Sequence, residues 1–141
     1  MLLVDANVLL HAVNRAAREH EAARRWLSEA IGRGEAVGFA WMALLAFLRL
    51  ATHPAIFPRP LAPGEATAAV EAWLAAPQAV LVEPTRRHIP LLRGLLIQTG
   101  TAGNLVSDAH LAALALEHDA TVVSFDRDFG RFEGVRWRLP G

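Results

Sequence analysis

Short apolar runs alternate along the chain with segments whose apolar residues recur with a helical period. The runs predict strands, because each is at most six residues long and is bounded by turn residues. We expect strands at 2–4, 35–40, 79–82, 121–124 and 135–138. The 79–82 strand is expected to be buried, and the last strand to lie at an edge. Strand and helix in alternation predict an α/β fold with a mainly parallel sheet of four to five strands.

The helical segments fall between these strands. We expect helices at about 7–13, 19–31, 42–51, 65–76, 85–98 and 105–118, with a helical turn at 128–132. Thr85 is expected to cap the fifth helix. The proline-rich stretch 53–64 and the glycine-containing stretch 99–104 are expected to be loops, the latter flexible. No repeat or linker interrupts the pattern, so the 141 residues predict one domain, 1–141.

Composition makes the chain apolar for a soluble protein. Hydrophobic residues make up 53% and the mean hydropathy is +0.27, more than one small core absorbs. We therefore expect another chain to cover part of the surface, with a homodimer as the simplest case. The four tryptophans are interpreted as core or interface anchors rather than as platforms for stacking bases.

Missing residue types exclude several kinds of chemistry. Cysteine and lysine are both absent, which excludes disulfides, Cys-ligated metals, P-loop nucleotide hydrolysis and Schiff-base chemistry. The net charge is zero, so no global field favours nucleic acid. Asp5 interrupts the first apolar run, and the apolar, uncharged stretch 37–48 is too short for a membrane helix. A soluble, cytoplasmic protein without membrane contact is expected.

Three aspartates follow the ends of strands, and a fourth lies at the start of a helix. Asp5 directly follows the first strand, in an apolar run where an unpaired carboxylate costs several kcal/mol, on the order given by transfer data. Asp126 and Asp128 follow the fourth strand, and Asp108 lies near the start of the last long helix. Because the C-terminal ends of parallel strands meet at one edge, right-handed βαβ connections can bring all four aspartates to one crevice.

Clustered carboxylates repel one another, so either their pKa values rise or a cation lies among them. Oxygen ligands select Mg²⁺ or Mn²⁺, and a site of this kind suits phosphodiester hydrolysis. Each aspartate also has an ordinary explanation. Asp5 with Asn7, and Asp126 or Asp128, are suited to capping helical turns, and Asp108 is a favourable acid in a first turn. Both interpretations stay open for each residue.

Three stretches carry a family resemblance: VDANVLL at 4–10, LLAFLRLATHPAIF at 44–57, and SDAHLAALALEHDATVVSFDRDFGRF at 107–132. In these the chain resembles the PIN-domain ribonucleases, and especially the VapC-type toxins of VapBC toxin–antitoxin pairs. The resemblance implies a single PIN domain over 1–141, folded as a three-layer α/β/α sandwich. It also implies a type II toxin that is a Mg²⁺- or Mn²⁺-dependent endoribonuclease acting on RNA of the tRNA or rRNA class. A cognate VapB-type antitoxin would block its active site.

The resemblance assigns roles residue by residue. The family's catalytic, metal-binding acids fall on Asp5, Asp108 and Asp126, and a frequent additional metal ligand falls on Asp128. The small polar positions that support these acids fall on Asn7 and Ser124, and would fix ligand orientation.

One position departs from the family. The family commonly has a glutamate in the helix after the second strand, and that position is Ala46 here. Glu35 lies at the opposite end of the strand, so the site is expected to be one carboxylate short. Single-metal catalysis, a weaker enzyme and a non-catalytic PIN-like module that binds RNA or protein all stay open. Arg49, one turn later, is expected to contact substrate or antitoxin, although a structural role is as reasonable. The histidines show no ligand spacing and are assigned no metal.

Overall fold

Strands and helices alternate in the predicted order. The structure is a computed structural model of the chain, and it describes residues 1–100 and 102–141. The strands are β1 (Leu2–Val4), β2 (Val37–Ala40), β3 (Ala79–Val82), β4 (Thr121–Val123) and β5 (Arg136–Arg138). The helices are α1 (Ala6–Val13), α2 (His20–Ile31), α3 (Trp41–Ala51), α4 (Pro63–Leu74), α5 (His88–Thr99) and α6 (Val106–Glu117). Short 3₁₀ turns cover Gly103–Leu105 and Arg127–Arg131.

The strands form one parallel sheet in the order β3-β2-β1-β4-β5. At the C-terminal end of β1, Val4 pairs with Phe39 of β2 on one side and with Val123 of β4 on the other. The strand order reverses between β1 and β4, and ligands bind at such a reversal in open α/β sheets. The sheet therefore places its crevice where the chain leaves β1 and β4.

Helices cover both faces of the sheet, as a parallel sheet requires. On one face α1 to α4 pack over a core that includes Leu9, Phe47 and Trp73. On the other face α5 and α6 pack over a core that includes Leu114 and Phe129. Successive residues of β1 point to opposite faces, so Leu2 and Val4 join the first core and Leu3 the second. The predicted three-layer α/β/α architecture is confirmed.

Several details differ from the sequence-based expectations. Thr85 does not cap α5, which begins at His88 after Arg87: its hydroxyl donates to Glu117 and accepts from the Arg87 N–H, before the helix begins. β3 is not a buried strand: it lies at the sheet edge, where Val80 and Leu81 are more than 40% exposed. The helix predicted from 65 begins at Pro63, a favourable first helical residue. The last two residues of the predicted loop, 103 and 104, belong to a 3₁₀ turn that also takes in Leu105, where the next helix was expected to begin. Thr101 lies outside the described residues.

Within the described part of the chain, no helix is both long enough and apolar enough to cross a bilayer.

Gly38 in β2 is required by the close approach of neighbouring side chains. A Cβ at this position would lie 2.7 Å from Val82 Cγ2 and 3.2 Å from Leu3 Cδ1. Valine is stiff at χ1, so it cannot move aside cheaply. We expect Gly38→Ala to lower the free energy of unfolding by about 1–3 kcal/mol, the usual cost of overpacking a core. Urea denaturation measures this.

Gly94 provides the matched control. It lies in α5, and a Cβ there would meet no described atom outside its own turn within 4 Å. We expect Gly94→Ala to raise the free energy of unfolding by about 0.5–1 kcal/mol, because alanine loses less backbone entropy in a helix. Equal effects of the two substitutions would contradict this account of the β2 packing.

Candidate active site

A cleft of about 880 Å³ opens at the C-terminal edge of the sheet. Its walls come from the ends of β1 and β3, from α3, and from the start of α6. The polar side chains that line it are Asp5, Arg49, Glu83, Ser107, Asp108 and His110. The cleft therefore combines residues from both halves of the chain, on the side of β1 that faces β2 and β3, next to the reversal of strand order.

Asp5 is the most constrained of these carboxylates. It ends β1 and caps α1, because its Oδ1 accepts a hydrogen bond from the Ala6 N–H at 2.7 Å. Its Oδ2 accepts from the Ser124 hydroxyl at 2.6 Å and from the Asn7 side-chain amide at 3.1 Å. Burial raises the pKa of Asp5, the hydrogen bonds from Ser124 and Ala6 oppose the rise, and the charge of Asp126 adds to it.

Ser124 and Asn7 tie the end of β1 to the end of β4. Ser124 is fully buried, and its Oγ accepts from the Asn7 amide at 3.0 Å and from the Asp126 N–H at 2.9 Å. The Asn7 Oδ1 accepts from the Phe125 N–H at 3.1 Å. Asn7 and Ser124 are thus hydrogen-bonded to each other and to Asp5, and each also accepts a backbone N–H from the segment after β4. This network fixes the orientation of the Asp5 carboxylate.

The surroundings of Asp108, which include the other three aspartates, raise its pKa. Burial raises its pKa, the charges of Asp5, Asp126 and Asp128 raise it further, and Arg131 opposes them, so that the pKa reaches about 6. Asp108 lies in the first turn of α6, on the face that also carries the buried Ala112. The four acids that the sequence is expected to bring to one crevice are therefore electrostatic neighbours.

Asp126 and Asp128 lie beside the cleft rather than in its wall. Among the described residues, the lining includes Asp5 and Asp108 but neither of these two. Asp126 caps the 3₁₀ turn by accepting from the Asp128 N–H at 2.9 Å, and Asp128 is 59% exposed, 4.0 Å from the Arg131 guanidinium. Capping and carboxylate clustering, which the sequence leaves as alternatives, occur together at Asp5 and Asp126.

The donor set is suited to a hard divalent cation. Within residues 1–100 and 102–141, no three carboxylate or histidine side chains converge closely enough to hold an ion between them. Mg²⁺ does not need three, because it keeps several waters and uses one or two carboxylates. Asp5 and Asp108 line the same cleft, and a cation between them would relieve the repulsion that raises the pKa of Asp108. The residues present therefore fit a hydrated Mg²⁺ or Mn²⁺.

Glu83 is an acid that the sequence-based search missed. Ala46, the position at which the resemblance implies a glutamate, lines the cleft on α3. Glu35 lies at the other edge of the sheet, 3.6 Å from the N-terminal amine. Glu83 directly follows β3, and its exposed side chain lines the cleft. The rule that predicts Asp5 at a strand end also applies to Glu83, although this residue lies far in sequence from Ala46.

The α3 wall of the cleft is apolar and exposed. Trp41, Met42 and Leu45 are 45%, 37% and 58% exposed and line the cleft together with Arg49. Trp41 is thus no core anchor, whereas Trp26 and Trp73 are buried. An apolar wall with a single guanidinium suits a partner that is itself partly apolar and carries a negative group.

Comparisons with known proteins agree with this geometry. A family model described as the PIN domain matches residues 2–135. The chain is 58% identical over 140 residues to Ribonuclease VapC37 of Mycobacterium tuberculosis, covering 99% of this chain and 97% of that protein. It is 42% identical over 140 residues to Ribonuclease VapC43 of the same species, covering 99% and 95%.

A solved structure shares the fold. VapBC2 from Rickettsia felis, crystallised with a DNA fragment from its promoter, contains a chain that superposes with a TM-score of 0.72 at 14% identity. The match covers 98% of this chain and 97% of that one. At this identity the likeness concerns the fold alone.

The shifted Asp108 pKa gives a direct test of the acid cluster. In metal-free protein we expect a pKa of about 6 for Asp108, measured by the pH dependence of its carboxyl ¹³C signal. Asp5→Asn should lower this pKa, because a neighbouring negative charge that disfavours ionisation is removed. Asp119→Asn is the control, since Asp119 is 91% exposed and paired with Arg136. An ordinary pKa for Asp108, or one that Asp5→Asn leaves unchanged, would show that the acids do not interact.

Proposed function

The chain belongs to the PIN domain family, and we propose that it is the toxin of a type II toxin–antitoxin system, a Mg²⁺- or Mn²⁺-dependent endoribonuclease. On this proposal residues 1–141 form a single PIN domain that acts in the cytoplasm. The observation that carries it is the group of aspartates beside an open cleft, where burial and the charges of Asp5, Asp126 and Asp128 together raise the pKa of Asp108 to about 6. The names of the relatives, which are ribonucleases, support the same activity.

The proposed roles follow from the contacts of each side chain. Asp5 and Asp108 would hold the cation in the cleft, and Asp126 and Asp128 would add negative charge and water-mediated contacts from beside it. The cation, when bound, would supply Lewis-acid activation of a water and stabilisation of charge on the phosphate. Ser124 and Asn7 hold the Asp5 carboxylate in one orientation through hydrogen bonds of 2.6 and 3.1 Å. Arg49 would contact a substrate phosphate or the antitoxin.

The substrate and partner are proposed from the cleft and the relatives together. We infer an RNA substrate of the tRNA or rRNA class, because enzymes of this type read structured RNA through shape and local contacts. The partner is a cognate VapB-type antitoxin that covers the apolar α3 wall formed by Trp41, Met42 and Leu45. VapBC2, which shares the fold, is a toxin–antitoxin complex and supports this choice.

A second candidate is a non-catalytic PIN-like module that binds RNA or protein. Ala46 favours it, because a carboxylate common in the family is missing from the α3 wall. Glu83 opposes it, since that residue brings a carboxylate to the cleft from β3 instead. The two candidates differ in one property, which is cleavage of RNA by the purified protein in the presence of Mg²⁺ or Mn²⁺.

Asp5→Asn tests the catalytic proposal. We expect the purified wild type to cleave total bacterial RNA with Mg²⁺ or Mn²⁺, EDTA to abolish cleavage, and Asp5→Asn to reduce the rate by about 10²-fold or more, as for a lost charged group in a metal site. Asp119→Asn should leave the rate unchanged. RNA end sequencing measures the cleavage.

Two results would decide against this proposal. Cleavage that survives both EDTA and Asp5→Asn would exclude the metal-dependent mechanism. A wild type that binds RNA without cutting it would favour the non-catalytic module.

Self-association is proposed through α5. Ile89 and Ile97 on this helix are 69% and 66% exposed, the largest exposures among the bulky apolar side chains that the structure describes. We expect light scattering at micromolar concentration to give the mass of a dimer, and Ile97→Arg to shift it toward a monomer because a charge would be buried in the interface. Ile56→Arg, at a 53% exposed residue outside α5, is the control. A monomeric wild type would contradict the homodimer.

A further inference from the structure

An exposed aromatic ring and an exposed carboxylate follow two neighbouring strands of the sheet. Ala40 of β2 pairs with Val82 of β3, and Trp41 and Glu83 are the residues that come next. Because neighbouring strands are about 4.8 Å apart, the two side chains leave the sheet from adjacent positions. Both line the cleft, and Trp41 is 45% exposed. The cleft therefore has a flat apolar surface beside a hydrogen-bond acceptor.

The carboxylate of Glu83 has no partner in the described part of the chain. Among these residues, no group donates a hydrogen bond to its oxygens and no guanidinium forms an ion pair with it. Only its backbone carbonyl is engaged, 2.9 Å from His118 Nε2. The side chain is exposed to water, where a carboxylate is an anion at neutral pH and only accepts hydrogen bonds. Glu83 therefore offers two parallel acceptors to a ligand in the cleft.

Among the nucleobases, guanine matches this pair of acceptors. Its N1–H and N2–H groups lie side by side and donate in parallel, the geometry of the strong two-pronged bonds to carboxylates. Adenine and cytosine present one amino group beside a ring acceptor, and uracil presents one N–H between two carbonyl oxygens. Unpaired bases of RNA are commonly read on this edge while their faces stack on aromatic side chains. Trp41 provides such a surface.

The separation of Glu83 from the acids suits one nucleotide. Glu83 and Asp5 follow β3 and β1, which are separated by β2 and so lie about 10 Å apart. A nucleotide spans a similar length from its phosphate to the outer edge of its base. A base held at Glu83 would therefore leave its phosphate near the acids that are proposed to hold the cation.

An arginine of a protein partner has the same two donors as guanine. It would, however, add a positive charge to a cleft that already contains Arg49. Guanine is uncharged and is joined to a phosphate, for which Arg49 and the proposed cation supply positive charge. The charges in the cleft therefore favour a nucleotide.

We propose that Glu83 accepts hydrogen bonds from N1–H and N2–H of an unpaired guanine whose ring stacks on Trp41, and so makes the cleft prefer RNA with a guanine next to the cleaved bond. The inference rests on the proposed function in taking RNA as the ligand. Glu83 and Trp41 determine specificity and take no part in the chemical step. An antitoxin that covers the α3 wall would also occupy the guanine site.

Binding to a cleavage-impaired protein separates this inference from catalysis. In the Asp5→Asn background, fluorescence anisotropy with Mg²⁺ compares labelled uridine heptamers whose central nucleotide is guanosine, inosine, adenosine or cytidine. Inosine lacks only the N2 amino group of guanosine. We expect the guanosine heptamer to bind about tenfold more tightly than the inosine heptamer, because one hydrogen bond to a charged group is lost.

Substitutions of the two residues assign this preference. Glu83→Ala should make the guanosine and inosine heptamers bind equally. Trp41→Ala should weaken the binding of all the heptamers about tenfold, because base stacking is lost, and Trp41→Phe should restore most of it. Glu71→Ala, at an exposed acid on α4, is the control and should leave the preference unchanged.

Three binding results would overturn the inference: equal binding of the heptamers in the Asp5→Asn background, a guanosine preference that survives Glu83→Ala, or Trp41→Ala without effect. Equal binding of the heptamers together with Glu83-dependent binding of N-acetylarginine amide, followed by NMR, would assign the pair to a protein arginine instead. A wild type that fails to cleave RNA would overturn the proposed function and leave a Glu83-dependent preference for guanosine standing.

Discussion

The hydrogen bond between Ser124 and Asp5 is the contact on which the site depends. Asp5 ends the central strand β1, where a carboxylate without partners would be costly to bury. Ser124, 119 residues away in sequence, donates to it at 2.6 Å and also holds the Asp126 N–H. The same few contacts that make the buried charge tolerable therefore bring the ends of β1 and β4, and their acids, to one place.

Clustering the aspartates costs electrostatic free energy, and the proposed cation would offset that cost. Burial and the charges of the other three aspartates together raise the pKa of Asp108 to about 6. Without a cation, the repulsion among the aspartates opposes their ionisation and adds nothing to the stability of the fold. A divalent cation, as proposed, would convert the mutual repulsion into binding energy, since each carboxylate would then have an opposite charge nearby. The acids are better explained by a proposed cation than by capping alone, although Asp5 and Asp126 also cap.

The sequence predicts the parts of this site that follow from strand ends, and misses those that depend on two helices meeting. Asp5 and Asp126 are predictable because parallel strands end at one edge, and Glu83 could have been found by the same rule. The contact of His110 with His88 joins residues 22 apart on different helices, and no spacing within one helix shows it. The exposure of β3 was mispredicted because the order of strands in the sheet cannot be derived from a hydrophobic run.

The most direct test of the account is the location of the cation. Anomalous diffraction from crystals of the wild type grown with Mn²⁺ would show it. The account predicts a peak in the cleft, bound directly or through water by Asp5 and Asp108. A cleft without a peak under conditions that support RNA binding, or an ion that neither carboxylate contacts, would contradict it.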